Sequence, residues 1–289
     1  MANWLKQNWL NLILIIALIA GVVLIVYPTV SNSIYSFRET NAIMSYTESI
    51  SEMEQEDYDR VLEGARKYNA ELAKTGIKRD FETEDRARYL RQLIVDSSGI
   101  IGYINIPKVN IKLPIYLEGD RSNSQAAIEH MRGTSLPIGG NSSNCVITGQ
   151  SGLPSAKLFT DIEKLEAGDH WTITCLNESV TYAVDEIITA KNLPAIKIEK
   201  DKVICTLVTD SSDEMILVKG HRVPNSDGNA PVSAEGVSLD FIYLVPIFWI
   251  PAAALFLLAI IIAILRARRR DSREDMMAYL EEHDIHVNI

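Results

Sequence analysis

The chain has 289 residues, of which 47% are hydrophobic and 23% are charged, a composition too apolar for a disordered protein. Its formal net charge of −10 leaves no basic surface to neutralise phosphates, which argues against nucleic acid as a partner. The three cysteines, Cys145, Cys175 and Cys205, form no CxxC pair, and an odd number cannot all pair within one chain. We therefore expect neither a disulfide scaffold nor a metal site, and no cofactor.

Two long apolar segments lie near the ends of the chain. Residues 10–28 and 241–265 contain no charged residue, and each is long enough to cross a bilayer core of about 30 Å. The first segment exceeds the usual apolar region of a signal peptide and no small-residue cleavage motif follows it, so we interpret it as an uncleaved anchor. Four arginines in residues 266–270 follow the second segment. By the positive-inside rule both termini, 1–9 and 266–289, are predicted to be cytosolic.

Residues 29–98 are predicted to form a helical region outside the membrane. Glu, Asp, Arg, Lys and Ala dominate residues 39–92. Apolar residues recur there at helical spacing: Tyr58, Val61, Leu62, Ala65, Tyr68 and Leu72. This pattern predicts two or three amphipathic helices.

Residues 99–223 consist of short runs rich in Val, Ile and Thr, separated by Gly, Pro and Asn. The runs are 100–106, 111–116, 145–148, 170–176, 179–188, 202–209 and 215–218. Their number and spacing predict an all-β barrel, with a short helix at 156–165 between strands. Residues 224–240 have a turn-forming composition without a period, so they are predicted to be a flexible linker.

Four segments of the β region resemble the class C, pilus-assembly sortases of Gram-positive bacteria. They are GYINIPK (102–108), KLPIY (112–116), GTSLPIGG (133–140) and GLPSAKLFTD (152–161). Their order and spacing match, as do the TLVT run at 206–209 and the two-span layout. The resemblance covers residues 30–265. It implies a mainly β protein, a sortase-type eight-stranded β-barrel with N-terminal amphipathic helices, flanked by two transmembrane helices in the plasma membrane.

The resemblance also implies a chemistry from which this sequence departs. A sortase is a cysteine transpeptidase for LPxTG-type sorting signals, with a His as acid and base and an Arg that stabilises the oxyanion. The His position holds Gln150, whose amide does not exchange protons near neutral pH. The Cys position holds Asp210, an ionised and poor nucleophile, and the Arg position holds Met215, which donates no hydrogen bond. We therefore expect none of the three to be functional in catalysis.

The segment between Asp210 and Met215 is shorter than in the family and acidic. A carboxylate cluster of Asp210, Asp213 and Glu214 would suit a divalent cation, but the spacing fits no calcium loop, so a solvated loop is the expectation. No other thiol is expected to serve, because Cys205 lies an odd number of residues before Asp210 and faces the opposite side of the strand. The candidate groove residues are Thr148, Gln150, Thr209, Asp210 and Ser211.

Class C sortases often carry a lid with an Asp-Pro-aromatic motif in the helical region. The nearest match here is Asp80 and Phe81, without the proline. They form either a degenerate lid or, as we expect, a helix boundary where Asp serves as a cap.

The sequence therefore predicts a pseudosortase that acts as a scaffold or regulator in pilus or cell-wall surface-protein assembly. Its partner would be a pilin or LPxTG-type surface protein, or an active sortase. Two alternatives stay open. One is an active transpeptidase or hydrolase that uses displaced residues, and the other is a decaying copy without a function.

Overall fold

The structure is a computed structural model, and it describes residues 2–77, 83–118, 127–211 and 214–225. The chain divides into two units, one formed by residues 31–239 and the other by residues 1–30 and 240–289. The second predicted span at 241–265, the cytosolic tail and the linker from residue 226 onward lie outside the described residues.

Three α-helices precede the barrel: α1 (Ala2–Ser51), α2 (Gln55–Thr75) and α3 (Thr83–Tyr89). The first predicted span and the first part of the helical region are therefore one helix. Within the described residues, Ile16–Ser51 of α1 is the segment long and apolar enough to cross a membrane, as an anchor or a signal sequence would be. The prediction of helices between residues 39 and 92 is confirmed.

Helix α2 shows why this region is helical. The predicted apolar stripe faces the barrel unit, with Leu62, Ala65, Tyr68 and Leu72 all buried. Acidic side chains in its first turn lie near the positive end of the helix dipole and stabilise the helix. The helix ends at Gly76, which has a φ of 80° and donates its N–H to the Leu72 carbonyl oxygen.

The eight strands close into a barrel. They are β1 (Ile100–Ile106), β2 (Ile111–Leu117), β3 (Ile128–His130), β4 (Ser143–Gly149), β5 (His170–Cys175), β6 (Glu178–Ala190), β7 (Val203–Ser211) and β8 (Glu214–Val223). The order around the barrel is β1-β2-β3-β4-β7-β8-β6-β5. The β2–β3 and β4–β7 pairs are parallel, and the other pairs are antiparallel. The predicted eight-stranded barrel is confirmed.

Two local predictions differ from the structure. The predicted helix at 156–165 is wrong, since only Ile162–Lys164 forms a helical turn, of the 3₁₀ type. Leu158 has a φ of 34°, which interrupts a right-handed helix. Strand β3 was not predicted because three residues are too few to show an alternating pattern.

The helical region is fastened to the barrel by buried polar contacts. The Tyr46 hydroxyl on α1 donates to the Ile101 carbonyl oxygen at 3.0 Å and accepts the Leu176 N–H at 2.9 Å. Asn69 on α2 exchanges two hydrogen bonds with the main chain of Leu136, at 3.0 and 2.7 Å. Buried polar atoms are costly when unpaired, so these bonds fix the orientation of the helices.

His130 on β3 forms a third buried contact with the helical region. The Tyr89 hydroxyl of α3 lies 2.9 Å from its Nδ1, and the Ser135 carbonyl oxygen lies 2.9 Å from its Nε2. Because a carbonyl oxygen only accepts, we assign the imidazole proton to Nε2. Burial lowers the pKa of His130 from 6.5 to about 4, so the ring is neutral at physiological pH.

The barrel interior is packed tightly enough to require glycine at particular positions. A Cβ on Gly220 of β8 would lie 2.5 Å from the Trp171 ring and closer still to the Ala183 carbonyl oxygen. On Gly64 of α2, by contrast, the nearest atom would be the Gln92 Oε1 at 3.7 Å. Packing therefore requires glycine at position 220, whereas position 64 has room for a side chain.

We expect Gly220→Ala to destabilise the 31–239 unit by about 1–3 kcal/mol, because the methyl group overpacks the Trp171 site. The matched variant Gly64→Ala is expected to stabilise the unit by about 0.5–1 kcal/mol, because it restores helix propensity. Urea unfolding followed by circular dichroism measures both. Equal effects of the two variants would contradict the packing of β8 against Trp171.

The neutral, buried His130 predicts a dependence of stability on pH. Its pKa is about 4 when folded and 6.5 when unfolded, so the unfolded state binds the extra proton as pH falls. The contribution of the neutral His130 to the free energy of unfolding is fully present above pH 6.5. The free energy of unfolding is expected to fall by about 3 kcal/mol as the pH approaches 4. Urea unfolding between pH 4.5 and 7.5 measures this slope.

The control for this slope is His130→Gln, which removes the titrating ring. Asp96 and Asp161 have pKa values lowered from 3.8, so they titrate below this window. The variant should be less stable at pH 7.5 but should lose most of the slope. An unchanged slope in the variant would show that other groups set the pH dependence.

Candidate functional site

The three family positions Gln150, Asp210 and Met215 meet at one end of strands β4, β7 and β8. Asp210 and Met215 are directly opposite each other in the β7–β8 ladder. β4 runs parallel to β7 with Thr148 opposite Val208, so the chain reaches Gln150 beside Asp210 two residues later. The Ser151 hydroxyl donates a hydrogen bond to the Asp210 main-chain carbonyl oxygen. The three positions are therefore neighbours at the same end of the sheet.

Strand alternation separates the site from the barrel interior. Along β7, Cys205 and Leu207 belong to the interior core, whereas Val208 belongs to a second apolar cluster on the outer face. Asp210 follows Val208 by two residues and is exposed on that outer face. The expected inward orientation of Cys205 therefore agrees with the structure.

The candidate groove residues do not all lie together. Thr148 and Gln150 share the outer face of the sheet with Asp210, and Thr148 is half-buried while the other two are exposed. Thr209 faces the interior with 2% of its surface exposed, and its hydroxyl has no hydrogen-bond partner among the described residues. Ser211 is the last residue of β7, and its side chain lies outside the described set.

The β7–β8 connection is a tight hairpin. Pairing continues to Ser211 opposite Glu214, so only residues 212 and 213 join the two strands. Met215 is therefore held in the ladder itself and is half-buried against the apolar side chains on the outer face of the sheet. A side chain at this position is part of the sheet and not of a loop.

The outer cluster is an apolar surface next to the three positions. Its buried members are Val146, Val208 and Leu217. Half-buried apolar side chains surround them: Met131, Ile188, Ala190, Leu193, Ile196 and Met215. The β6–β7 connection contributes to this surface and is held there by a 2.8 Å hydrogen bond from the Asn144 Nδ2 to the Lys197 carbonyl oxygen. We call this set the outer apolar cluster.

Close packing orients the chain as it enters the Gln150 segment. A Cβ on Gly149 would lie 2.8 Å from both the Ile128 side chain and the Phe159 ring. The Gln150 carbonyl oxygen accepts the Phe159 N–H at 3.3 Å. Glycine is thus required here so that the segment can fold back over Phe159 with the Gln150 side chain exposed.

The described histidines offer no replacement base at the site. His130 is fully buried, both of its ring nitrogens lie within hydrogen-bonding distance of partners inside the protein, and its lowered pKa makes it a weak base. His221 pairs with Asp185 at 2.6 Å, six residues along β8 from Met215, which corresponds to about 20 Å of strand. His170 opens β5, which is not a neighbour of β4, β7 or β8 in the barrel.

The cysteines offer no replacement nucleophile. Cys145, Cys175 and Cys205 are all free thiols buried in the barrel interior. Burial raises the pKa of Cys145 and of Cys175 well above the ordinary value, so both stay protonated and unreactive.

Within the part of the chain that the structure describes, no group of three or more His, Cys, Asp and Glu side chains could hold a metal ion. Asp213 of the acidic segment is outside that part, as are the lid candidates Asp80 and Phe81. The lid residues fall between the end of α2 and the start of α3.

Comparison with known proteins identifies the family. A sortase domain model matches residues 104–223. A solved sortase C1 from Streptococcus agalactiae is 43% identical over 64% of this chain and 100% of its own, with a TM-score of 0.62. A Clostridium perfringens sortase C, solved with the C-terminal cell wall sorting motif, is 31% identical over 64% of this chain and 99% of its own, with a TM-score of 0.53.

A lid mutant of sortase A from Corynebacterium diphtheriae is 31% identical over 59% of this chain and 96% of its own, with a TM-score of 0.54. No curated protein sequence matches significantly. With its closed barrel, its matched domain and 43% identity over the whole of a solved sortase, the chain belongs to the sortase family, and class C sortases are among its structural relatives.

Proposed function

We propose that this sortase-family protein is catalytically inactive as a cysteine transpeptidase and acts as a binding or regulatory factor in pilus or cell-wall surface-protein assembly. The observation that carries the proposal is the pairing of Asp210 with Met215 in a tight hairpin. By the resemblance to the family, these two positions, which hold a carboxylate and a thioether, are those where acyl transfer needs a thiolate and a cation.

In this proposal, each chemical step of transpeptidation lacks the side chain that it requires. No described thiol reaches the outer face, and the exposed Asp210 carboxylate is a weak nucleophile toward a peptide carbonyl. Gln150 cannot carry a proton between the nucleophile and the leaving amine. The hairpin places Glu214 one residue from Met215, and negative charges there would repel an oxyanion.

A binding surface remains beside the altered positions. The outer apolar cluster lies on the outer face of β4, β7 and β8 and is partly open to solvent at its rim. A related sortase C from Clostridium perfringens was solved with a C-terminal cell wall sorting motif, which supports the same class of ligand here. Apolar side chains of a sorting signal would gain about 1.5–3 kcal/mol each from burial on such a surface.

The proposed position of the protein in the cell rests on helix α1 and on the distribution of charge in the sequence. Its apolar segment suits an anchor in the plasma membrane of a Gram-positive bacterium, with residues 31–239 outside the membrane and both termini cytosolic. A pilin or another LPxTG-type surface protein would meet the barrel there, as would an active sortase. The protein would then hold or regulate such a partner without cleaving it.

A peptide assay on the purified 31–239 unit tests the proposal. We expect a fluorogenic LPxTG-type peptide to bind, as measured by fluorescence anisotropy, and not to be cleaved. An active class C sortase, assayed in parallel, is the positive control for cleavage. Ile188→Asp, which places a charge in the outer apolar cluster, should weaken binding about tenfold or more. Ile187→Asp is the matched control, because Ile187 is exposed on the opposite face of β6.

Cleavage that disappears in Asp210→Ala would instead support the alternative of an enzyme with displaced residues. Equal loss of binding in both isoleucine variants would place the ligand away from the outer apolar cluster. Circular dichroism of each variant separates a binding defect from unfolding.

Restoring the family side chains tests the role of the hairpin. The triple variant Gln150→His, Asp210→Cys and Met215→Arg is expected to remain without transpeptidase activity. The main chain of residue 215 is fixed in the ladder opposite residue 210. Oxyanion stabilisation needs hydrogen-bond donors about 3 Å from the reacting oxygen, and we expect an arginine fixed at position 215 not to reach that point. The measurement is product formation by mass spectrometry with peptide and amine. Activity comparable to the positive control would show that the hairpin imposes no such limit.

A further inference from the structure

Helix α1 carries apolar side chains on two different faces after the predicted span. One face packs against the barrel unit through Ile43, Tyr46 and Ile50, which are at most 4% exposed. The other face is open, and its three large apolar side chains are 36–41% exposed. We call this second face the α1 stripe: Ile34, Phe37, Asn41 and Met44. A helix that is apolar on both sides is typical of a helix that is covered on both sides.

The spacing of the α1 stripe is that of a coiled coil. The residues follow one another at intervals of three and four, which are the a and d positions of a heptad. Carried back toward the amino terminus, the same register meets only apolar residues in the sequence: Val30, Tyr27, Val23 and Ala20. α1 is a single helix through this whole stretch. In the sequence, the heptad register of the stripe therefore continues into the predicted span.

The polar member of the α1 stripe favours a specific pairing. Asn41 is exposed and occupies an a position between Phe37 and Met44. An amide both donates and accepts hydrogen bonds, so two asparagines that face each other satisfy one another. A single Asn at an a position fixes the register and the number of strands of a coiled coil, at some cost in stability. Asn41 therefore suits two identical helices in register.

The charges around the α1 stripe also suit a second copy of this chain. The whole chain carries a net charge of −10, so two copies have the same sign of net charge and repel each other at long range. The e and g positions that flank the stripe are Ser33, Arg38, Thr40, Ser45 and Thr47, which include no acidic residue. The next a position is Glu48, where two copies would oppose carboxylates, so the seam ends there.

We propose that two copies of this chain associate through the α1 stripe as a parallel coiled coil with a two-fold axis along the helices. The proposal rests on the first predicted span remaining in the membrane. Anchored copies all present the stripe in the same direction and at the same height, so identical residues meet in register. An antiparallel arrangement is excluded by the anchor.

Other segments of this chain fit the α1 stripe less well. The second apolar segment, 241–265, is predicted from its sequence to span the bilayer, whereas the stripe begins about 10 Å along the helix beyond the first predicted span. The predicted linker at 224–240 is rich in Ser, Gly, Pro and Asn, and its sequence has no helical period. A second copy is the partner that supplies a complementary heptad seam.

The pairing would also bring two binding surfaces together. The turn of α1 just before the stripe contacts the segment that follows Gln150. The Ser31 hydroxyl donates to the Ser155 carbonyl oxygen at 3.3 Å, and the Asn32 Oδ1 accepts the Lys157 N–H at 3.0 Å. A dimer through α1 would therefore hold two barrels side by side, and two linked sites raise the effective affinity for a polymeric partner.

Cysteine cross-linking of the full chain in lipid vesicles tests the proposal. Met44→Cys lies on the seam and leaves Asn41 in place, and Ser36→Cys on another side of the same helix is the matched control. Wild type supplies the background, because its three cysteines are buried. Mild oxidation should give a disulfide-linked dimer on a non-reducing gel for Met44→Cys, at least about tenfold more than for Ser36→Cys. Maleimide labelling of both variants checks that the two thiols are equally accessible to reagents.

A charge in the seam provides the second arm of the experiment. Asn41→Asp keeps the size of the side chain but opposes two carboxylates in the dimer, so added to Met44→Cys it should reduce the cross-linked fraction about tenfold. Ser36→Asp should leave that fraction unchanged. Equal cross-linking at positions 36 and 44, no dimer at all, or a dimer that survives Asn41→Asp would each overturn the proposal. Alkaline extraction of the same vesicles reports membrane insertion separately, so a failed anchor is distinguished from a failed seam.

Discussion

The register of the β7–β8 hairpin is the constraint on which the candidate site depends. Pairing of Asp210 with Met215, and of Ser211 with Glu214, leaves two residues for the turn. In a hairpin this short the strands and not the loop decide where side chains point. Met215 therefore joins the outer apolar cluster, and an arginine at the same place would have to leave that cluster to reach a substrate.

The helical region depends on a second set of interactions, which are buried and polar. The visible ion pairs, such as Arg66 with Glu178 and Arg88 with Glu71, are exposed, and such pairs contribute little to stability. The hydrogen bonds of Tyr46, Asn69 and Tyr89 are buried, and breaking one would leave a polar atom without water. These bonds fasten the helices to the barrel. Protonation of His130 would therefore alter the contact between helix α3 and strand β3.

Sequence periodicity predicted most of the barrel because each long strand alternates between two faces. Runs such as 100–106 and 111–116 became β1 and β2 with nearly the same ends. The same alternation predicted that Cys205 and Asp210 face opposite sides, but it was not applied to Thr209, whose side chain lies inside with Cys205. Parity within the strand was the signal that would have separated Thr209 from the groove candidates.

Other features depend on contacts between distant residues, which one sequence does not reveal. The Ser151 hydroxyl contacts the Asp210 carbonyl oxygen across 59 positions, and strand β3 exists because β2 and β4 flank it.

The core residues and the candidate site occupy opposite faces of the same strands, so a substitution at the site need not alter the packing of the core. The inward residues Cys145, Ile147, Cys205 and Leu207 fill the barrel, and a change in any of them alters packing that the whole fold shares. Gln150 and Asp210 lie exposed on the outer face, where substitution costs the barrel little. Retention of the sortase framework is thus evidence for the fold and for a surface of the family's shape. It is not evidence for transpeptidation, because the exposed side chains of Gln150 and Asp210 are under no packing constraint from the core.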